Sequence, residues 1–179
     1  MKKIILISAL ASSFALASST TLADNTGTSY VGGLFSHYTY DESSGSSDAS
    51  PTGLTVRGGY FLTDYIAIEG RLGTGISDDT ISGTSIDLEL DQLMGAYAAG
   101  YLPLNNMFSL YGLIGFSYAE GSASNRLTSI SFDDDGFSYG AGAQINFTPQ
   151  VSGQLEYMYY LDKSDYDLTA ASLGVSYNF

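Results

Sequence analysis

The sequence predicts an all-β fold: an eight-stranded antiparallel up-and-down transmembrane β-barrel. Three observations predict it. Apolar side chains recur at every second position over stretches of about ten residues, the period of strands with two different faces. The connections between those stretches alternate between short and long. The aromatic residues gather toward the two ends of the stretches, away from their middles. About ten residues is the length a tilted strand needs to cross hydrocarbon. A closed barrel pairs its backbone N–H and C=O groups there without leaving a free edge.

The chain begins MKKIILISALASSFALASSTTLADN. Lys2 and Lys3 form a basic head, Ile4 to Leu16 is a short apolar run broken by serines, and Thr21-Leu22-Ala23 offers small residues where a signal peptidase reads them. This predicts a signal peptide over residues 1–23, cleaved after Ala23, and a barrel domain over residues 24–179. The apolar run is too short to span as a helix. Two of the six basic residues leave with the signal. The remaining four face all 19 acidic residues, a net charge of −15. Such a chain is no nucleic-acid binder, because phosphate recognition needs clustered Lys and Arg. Cysteine is absent, so something other than disulfides must hold this exported fold together.

The strands follow in order. The first, TSYVGGLFSHYTY, has mixed faces, and its phase stays open. The second, GLTVRGGYF, sets Leu54, Val56, Gly58 and Tyr60 opposite Thr55, Arg57 and Gly59. The third, YIAIEGRLGTGI, sets Ile66, Ile68, Gly70, Leu72, Thr74 and Ile76 opposite Ala67, Glu69, Arg71 and Gly73. In the fourth, around residues 86–102, Leu93, Tyr97, Ala99 and Tyr101 share the apolar face. Leu88 and Leu90 fall out of phase with them, which predicts a bulge. The fifth, FSLYGLIGFSY, alternates Phe108, Leu110, Ile114 and Phe116 with Ser109, Tyr111, Leu113 and Ser117. The sixth, FSYGAGAQINF, alternates Phe137, Tyr139, Ala141, Ala143, Ile145 and Phe147 with Ser138, Gly140, Gly142, Gln144 and Asn146. The seventh, VSGQLEYMYYL, places Val151, Leu155, Tyr157, Tyr159 and Leu161 against Ser152, Gln154, Glu156, Met158 and Tyr160. The eighth, AASLGVSYNF, places Ala171, Leu173, Val175, Tyr177 and Phe179 against Ser172, Gly174, Ser176 and Asn178.

Three connections are short: Thr63-Asp64, Pro103 to Asn106, and Thr148-Pro149-Gln150. The others are longer and polar: DESSGSSDASP, SDDTISGTS, EGSASNRLTSISFDDD and DKSDYD. All three prolines fall in connections, as ladder hydrogen bonding requires. Short periplasmic turns alternating with longer outer loops is the outer-membrane pattern. With the chain entering from the periplasm, Tyr60, Tyr65, Tyr101, Phe108, Phe147 and Phe179 gather at the short-turn end, and Tyr118, Phe137, Tyr139 and Tyr159 at the loop end. These are two interfacial girdles.

The segment GFSYGAGAQINFTPQVSGQLEYMYYLDKSDYDLTAASLGVSYNF, residues 136–179, together with YFLTDYIAIEGRLG and LYGLIGFSYAEG, resembles the small eight-stranded outer-membrane barrels of the OmpX/Ail and OmpA-transmembrane-domain type. The resemblance covers essentially the whole chain after the signal. It marks the barrel class strongly and the individual function weakly. It implies bacterial outer-membrane localisation and insertion by the barrel-assembly machinery. It also implies contact with outer-membrane lipids and lipopolysaccharide, and with host or other surface molecules through the loops. Relatives of this type often act in adhesion or complement resistance, but their loop sequences are not recognisable here. The peptidoglycan-binding domain of full OmpA-type chains is not expected after Phe179.

Four inward charges stand out: Arg57, Glu69, Arg71 and Glu156, accompanied by Gln144 and Gln154. Two arginines facing two glutamates neutralise each other across a lumen where a lone charge is very costly. The pattern predicts a plug of paired charges that specifies the closed barrel; the same network would otherwise line or gate a narrow water path. The inward glycines Gly59, Gly73, Gly115, Gly140, Gly142 and Gly174 would leave water-filled pockets in that second reading.

No catalytic constellation emerges. His37 is the single histidine, and Ser36 beside it points to the opposite face of a strand. Lipid-modifying chemistry is therefore the weakest alternative, and His37 reads as a rim residue. The run Asp133-Asp134-Asp135 lacks the spacing of a calcium loop and reads as a solvated outer loop. No cofactor is expected. Tyr177 and Phe179, after Leu173 and Val175, resemble the terminal signal read by the assembly machinery. The sequence thus predicts a non-enzymatic outer-membrane barrel whose four acidic loops serve envelope integrity or surface contact. A small porin or narrow channel is the alternative.

Overall fold

A computed structural model describes residues 25–42, 51–77, 79–80, 87–125, 128–162 and 166–179. The expected signal peptide with Ala23 lies outside the described residues, as do the middles of the outer loops. Eight strands form the barrel: β1 (Ser29–Glu42), β2 (Thr52–Phe61), β3 (Ile66–Ser77), β4 (Asp87–Pro103), β5 (Phe108–Asn125), β6 (Thr128–Asn146), β7 (Val151–Asp162) and β8 (Tyr166–Asn178). A two-residue extension, Asp79–Thr80, pairs with the start of β4. Every strand pairs antiparallel with its sequence neighbours. β8 then pairs with β1, from Tyr30↔Asn178 to Glu42↔Tyr166, and closes the sheet.

Residues opposite each other in an antiparallel ladder share a face, so the phase of one strand fixes that of the next. Leu54, Val56, Ile68, Leu72, Ile114, Phe116, Leu155, Leu173 and Val175 all stand exposed on the outside. An apolar surface this continuous suits lipid, not water. The first strand, whose phase the sequence left open, turns Tyr30, Leu34, Ser36 and Tyr38 inward. Val31, Phe35 and His37 face outward.

Three expectations need correction. Leu93, Tyr97, Ala99 and Tyr101 do share a face, but it is the lumen; Met94, Ala96, Ala98 and Leu102 face lipid. The register decides this: Ala67 points inward and Ala99 lies opposite it. Tyr101, at 3% exposure, therefore belongs to the barrel interior and not to the periplasmic girdle. The expected bulge is present, between Leu90 and Gln92. A second one, between Tyr159 and Leu161 on β7, was not expected; it turns Leu161 into the core beside Tyr160. Finally, β5 and β6 run on well past the membrane. They pair as far as Asn125↔Thr128, so the segment expected as a long loop around 120–135 is mostly ladder, and Asp133 to Asp135 sit on a strand. β5 has 18 residues and β6 has 19, against the roughly 9–11 that a crossing uses.

The three short turns share one construction. In each, two N–H groups on the entering strand side converge on a single carbonyl: Leu62 and Thr63 on Ile66, Leu104 and Asn105 on Phe108, Phe147 and Thr148 on Val151. The second turn residue then accepts two backbone N–H groups on its side chain. Thr63 Oγ1 takes those of Tyr65 and Ile66, Asn105 Oδ1 those of Met107 and Phe108, and Thr148 Oγ1 those of Gln150 and Val151. Thr and Asn recur here because a short polar side chain reaches its own backbone two residues on.

Candidate functional site in the barrel lumen

The inward charges meet at mid-barrel. Arg57 on β2 and Arg71 on β3 are register partners, which by itself sets two cations side by side. Glu69, two residues before Arg71 on the same face, lies between them: its Oε2 is 2.6 Å from Arg57 Nη2 and its Oε1 accepts Arg71 Nε–H at 2.6 Å. Glu156 arrives from β7 on the far wall. It accepts Arg71 Nη1–H and Nη2–H at 2.5 and 2.7 Å, the bidentate fork–fork geometry that suits guanidinium to carboxylate. Arg57 Nη1 stands 3.9 Å from Glu156 Oε2. All four side chains are essentially inaccessible to solvent. Two positive and two negative charges leave the cluster neutral, which is what low-dielectric burial demands.

A shell of tyrosines completes it. Tyr30 OH donates to Glu69 Oε2, and Tyr111 OH donates to Glu156 Oε2 at 3.0 Å. Tyr101 OH accepts from Arg57 Nη2 at 3.2 Å, and Tyr160 OH from Arg71 Nη1 at 3.3 Å. The Arg57 guanidinium lies over the rings of Tyr30 and Tyr111, 5.0 and 5.7 Å from their centroids, and Arg71 lies 5.0 Å from that of Tyr97. Arg57 Nε and Nη1 have no hydrogen-bond partner; ring faces offer them cation–π attraction in place of oxygen. Above Arg71 a hydroxyl chain continues: Tyr97 OH to Ser117 Oγ at 2.6 Å, Ser138 Oγ to Ser117 Oγ at 2.6 Å, and Ser138 Oγ to the Tyr160 carbonyl at 2.8 Å.

The inward glycines do not leave pockets. A Cβ on Gly59 would lie 2.2 Å from Tyr30 Cζ, and one on Gly142 would lie 2.4 Å from Tyr111 Cζ. Gly115 likewise accommodates Tyr97, Gly140 the sulfur of Met158, and Gly174 a methyl of Leu34. Each absent side chain is the seat of a large one from a neighbouring position. A barrel of eight strands has an interior that side chains can fill, and this one is filled.

Sequence periodicity brought Arg57, Glu69, Arg71 and Glu156 to one face, and the structure brings them into contact. Gln154 joins no arginine; its Nε2 donates to Ser152 Oγ and its Oε1 accepts from Ser176 Oγ. Gln144 lies lower, donating to Asn146 Oδ1 at 2.9 Å. The tyrosine shell was missed. Tyr111 and Tyr160 had the correct parity, so the available signal was a tyrosine in phase with a buried charge. Ser36 and His37 point to opposite faces, Ser36 Oγ 2.8 Å from Ser172 Oγ in the lumen and His37 exposed outside. Tyr177 and Phe179 are exposed on the outer surface in an edge-to-face pair with centroids 5.1 Å apart.

Comparisons with known proteins agree with this geometry. A family model described as the outer membrane protein beta-barrel domain matches residues 6–179. The chain is 29% identical, over the full length of both, to outer membrane protein X of Escherichia coli strain K12. Its fold is similar to the crystal structure of Ail, the attachment invasion locus protein of Yersinia pestis. The TM-score is 0.67 at 22% identity, covering 86% of this chain and 99% of that one. A further structure of Ail, in complex with the heparin analogue sucrose octasulfate, gives a TM-score of 0.66 at 23% identity, with the same 86% and 99% coverage.

Proposed function

The chain belongs to the outer membrane protein beta-barrel domain family, as an OmpX/Ail-type protein of the bacterial outer membrane, and on that premise we propose that it is a closed, non-enzymatic anchor for surface contact. The filled lumen supports this reading most. With two arginines, two glutamates and their tyrosines locked across mid-barrel, a water path has no free cross-section to follow. The charge network then acts as a structural plug that favours the closed barrel. What remains for function is the outer end.

The charge of that end defines the partner. By the up-and-down topology, Asp41, Glu42, Asp79, Asp87, Glu89, Asp91, Glu120, Asp133, Asp134, Asp135, Asp162 and Asp167 belong to it, and among the described residues no Lys or Arg lies there to oppose them. Ail has been crystallised with a sulfated heparin analogue. A polyanion of that kind is repelled by an outer end so acidic. The surface molecules this chain contacts are therefore cationic or uncharged. Lipopolysaccharide lies around the barrel as its lipid neighbour. The terminal Tyr177–Phe179 pair serves as the signal that the barrel-assembly machinery reads.

Two measurements test the proposal. Purified barrel in planar bilayers is expected to give no stable conductance steps; steady open levels would favour a channel instead. Barrel in nanodiscs, passed over immobilised heparin and immobilised polylysine, is expected to be retained only by polylysine, with retention falling as salt rises. Retention on heparin would overturn the partner chemistry.

A further inference from the structure

The lipid face of the barrel is furrowed. Gly58 on β2 pairs with Gly70 on β3, and Gly70 with Ala96 on β4, so three exposed positions of one ladder row carry almost no side chain. A Cβ on Gly70 would meet nothing within 4 Å. Val31 closes the row at one end and Phe116 at the other. The next row toward the outer loops, Val56, Leu72 and Met94, forms a wall that continues through Tyr118 to Asp135. The hollow they enclose is about 640 Å³, within the size range of small-molecule sites.

The furrow runs diagonally across the membrane. Counted from the periplasmic starts of their strands, Ser29 and Phe108, Val31 is the third residue of β1 and Phe116 the ninth of β5. The row therefore climbs toward the outer interface over four strand spacings, about 19 Å. One leaflet of hydrocarbon is roughly 15 Å deep, so a tilted lipid tail matches that length. The rows on either side lie four residues apart along each strand, about 13 Å between backbones. Their side chains, such as Leu72 on one side and Ile68 on the other, narrow the opening below the width of a helix, about 10–12 Å. The convex wall of a second barrel would bridge the furrow and leave it unfilled. Association within hydrocarbon depends on packing, so an unfilled furrow offers a protein partner little, whereas a flexible tail follows it.

The mouth selects the headgroup. Asp135 lies at the outer end of the hollow. On the next outward-facing row Glu120 pairs with Asp133, and Tyr118 OH donates to Glu120 Oε1 at 3.1 Å. A headgroup with phosphate alone is repelled by these carboxylates. One that ends in an ammonium brings the complementary charge and three N–H donors.

We propose that this furrow is a lipid site: an acyl tail lies over Gly58 and Gly70, and an amine-bearing headgroup docks on Asp135, Asp133 and Glu120. The inference is independent of the surface-contact function, since it concerns the lateral face of the barrel and not the partners of its loops.

The full barrel in nanodiscs of equimolar dimyristoyl phosphatidylethanolamine, phosphatidylcholine and phosphatidylglycerol tests it, with native mass spectrometry to identify the lipid that stays bound. One phosphatidylethanolamine is expected to be retained, about threefold over either competitor, the order of an exposed ion pair. Gly70→Leu fills the furrow where the structure has room, so it is expected to keep the parent's urea midpoint and to lose the retained lipid. Asp133→Asn with Asp135→Asn is expected to keep a bound lipid but to lose the headgroup preference. Equal retention of the three lipids by the parent would overturn the proposal. So would a preference that survives Gly70→Leu or the paired Asp variants. A dimer mass that Gly70→Leu abolishes would assign the furrow to a second copy of the chain and overturn it as well.

Discussion

Glu156→Ala is the sharpest perturbation of the lumen. Glu156 receives Arg71 through two bonds of 2.5 and 2.7 Å, receives the Tyr111 hydroxyl at 3.0 Å, and faces Arg57 Nη1 at 3.9 Å. Truncation leaves two buried guanidiniums against one carboxylate, Glu69. Breaking a buried pair by removing one partner costs about 3–5 kcal/mol, because the stranded charge has no solvent. Taking about 4 kcal/mol, the ratio of folded to unfolded barrel falls roughly a thousandfold. Arg57→Met in the same chain restores neutrality. Arg57 is the less satisfied arginine, with Nε and Nη1 unbonded, so its removal is expected to recover about 2 kcal/mol. The double variant is then more stable than Glu156→Ala alone. Urea unfolding in lipid vesicles measures this. Because the chain has no tryptophan, tyrosine fluorescence and far-ultraviolet circular dichroism report it, with the mobility of unheated protein on gels as the folded-state check. A loss below about 1 kcal/mol for Glu156→Ala, or a double variant that merely adds the two single losses within about 0.5 kcal/mol, refutes the coupled network.

Three further outcomes are expected. Gly142→Val puts a branched side chain where a Cβ already meets Tyr111 at 2.4 Å and the Leu155 carbonyl oxygen at 2.7 Å; it should lose about 1–3 kcal/mol in the same unfolding assay. Gly70→Ala on the lipid face meets nothing within 4 Å and should stay within about 0.5 kcal/mol of the parent, so equal losses at the two positions would refute the seating of rings on lumen glycines. Asn105→Ala removes the acceptor of two turn N–H groups and is expected to cost about 1 kcal/mol, seen as a lower urea midpoint without a change in slope. Deleting Phe179 should reduce outer-membrane insertion far more than export to the periplasm, as read by cell fractionation; equal reduction of both would remove the assembly-signal role.

Much of the fold was legible because a strand's period of two reports two faces directly. Wherever one face was apolar and the other small or polar, as in β5, β6 and β8, the lipid side read off correctly. The clustering of Arg57, Glu69, Arg71 and Glu156 was legible for the same reason: a charge in a membrane strand has only the lumen to occupy. Periodicity is silent where both faces are apolar. In β4, Leu93, Tyr97 and Tyr101 alternate with Met94, Ala98 and Leu102, and hydropathy has no preference between them. Pairing with Ala67 on β3 made the choice, placing Tyr97 and Tyr101 against the charges. The β7 bulge that turns Leu161 inward leaves no mark in the alternation before it.

By itself the sequence determined that this chain closes eight strands around a neutral set of buried charges and shows aliphatic side chains to lipid. Those properties follow from alternation and charge balance, which are local to each strand. Only the tertiary structure decided how the interior is filled. Tyr30 seats on Gly59, Tyr111 on Gly142 and Tyr97 on Gly115. These seats join residues on different strands, and their match depends on stagger around the barrel. That stagger is a property of the closed sheet as a whole, so no single strand encodes it.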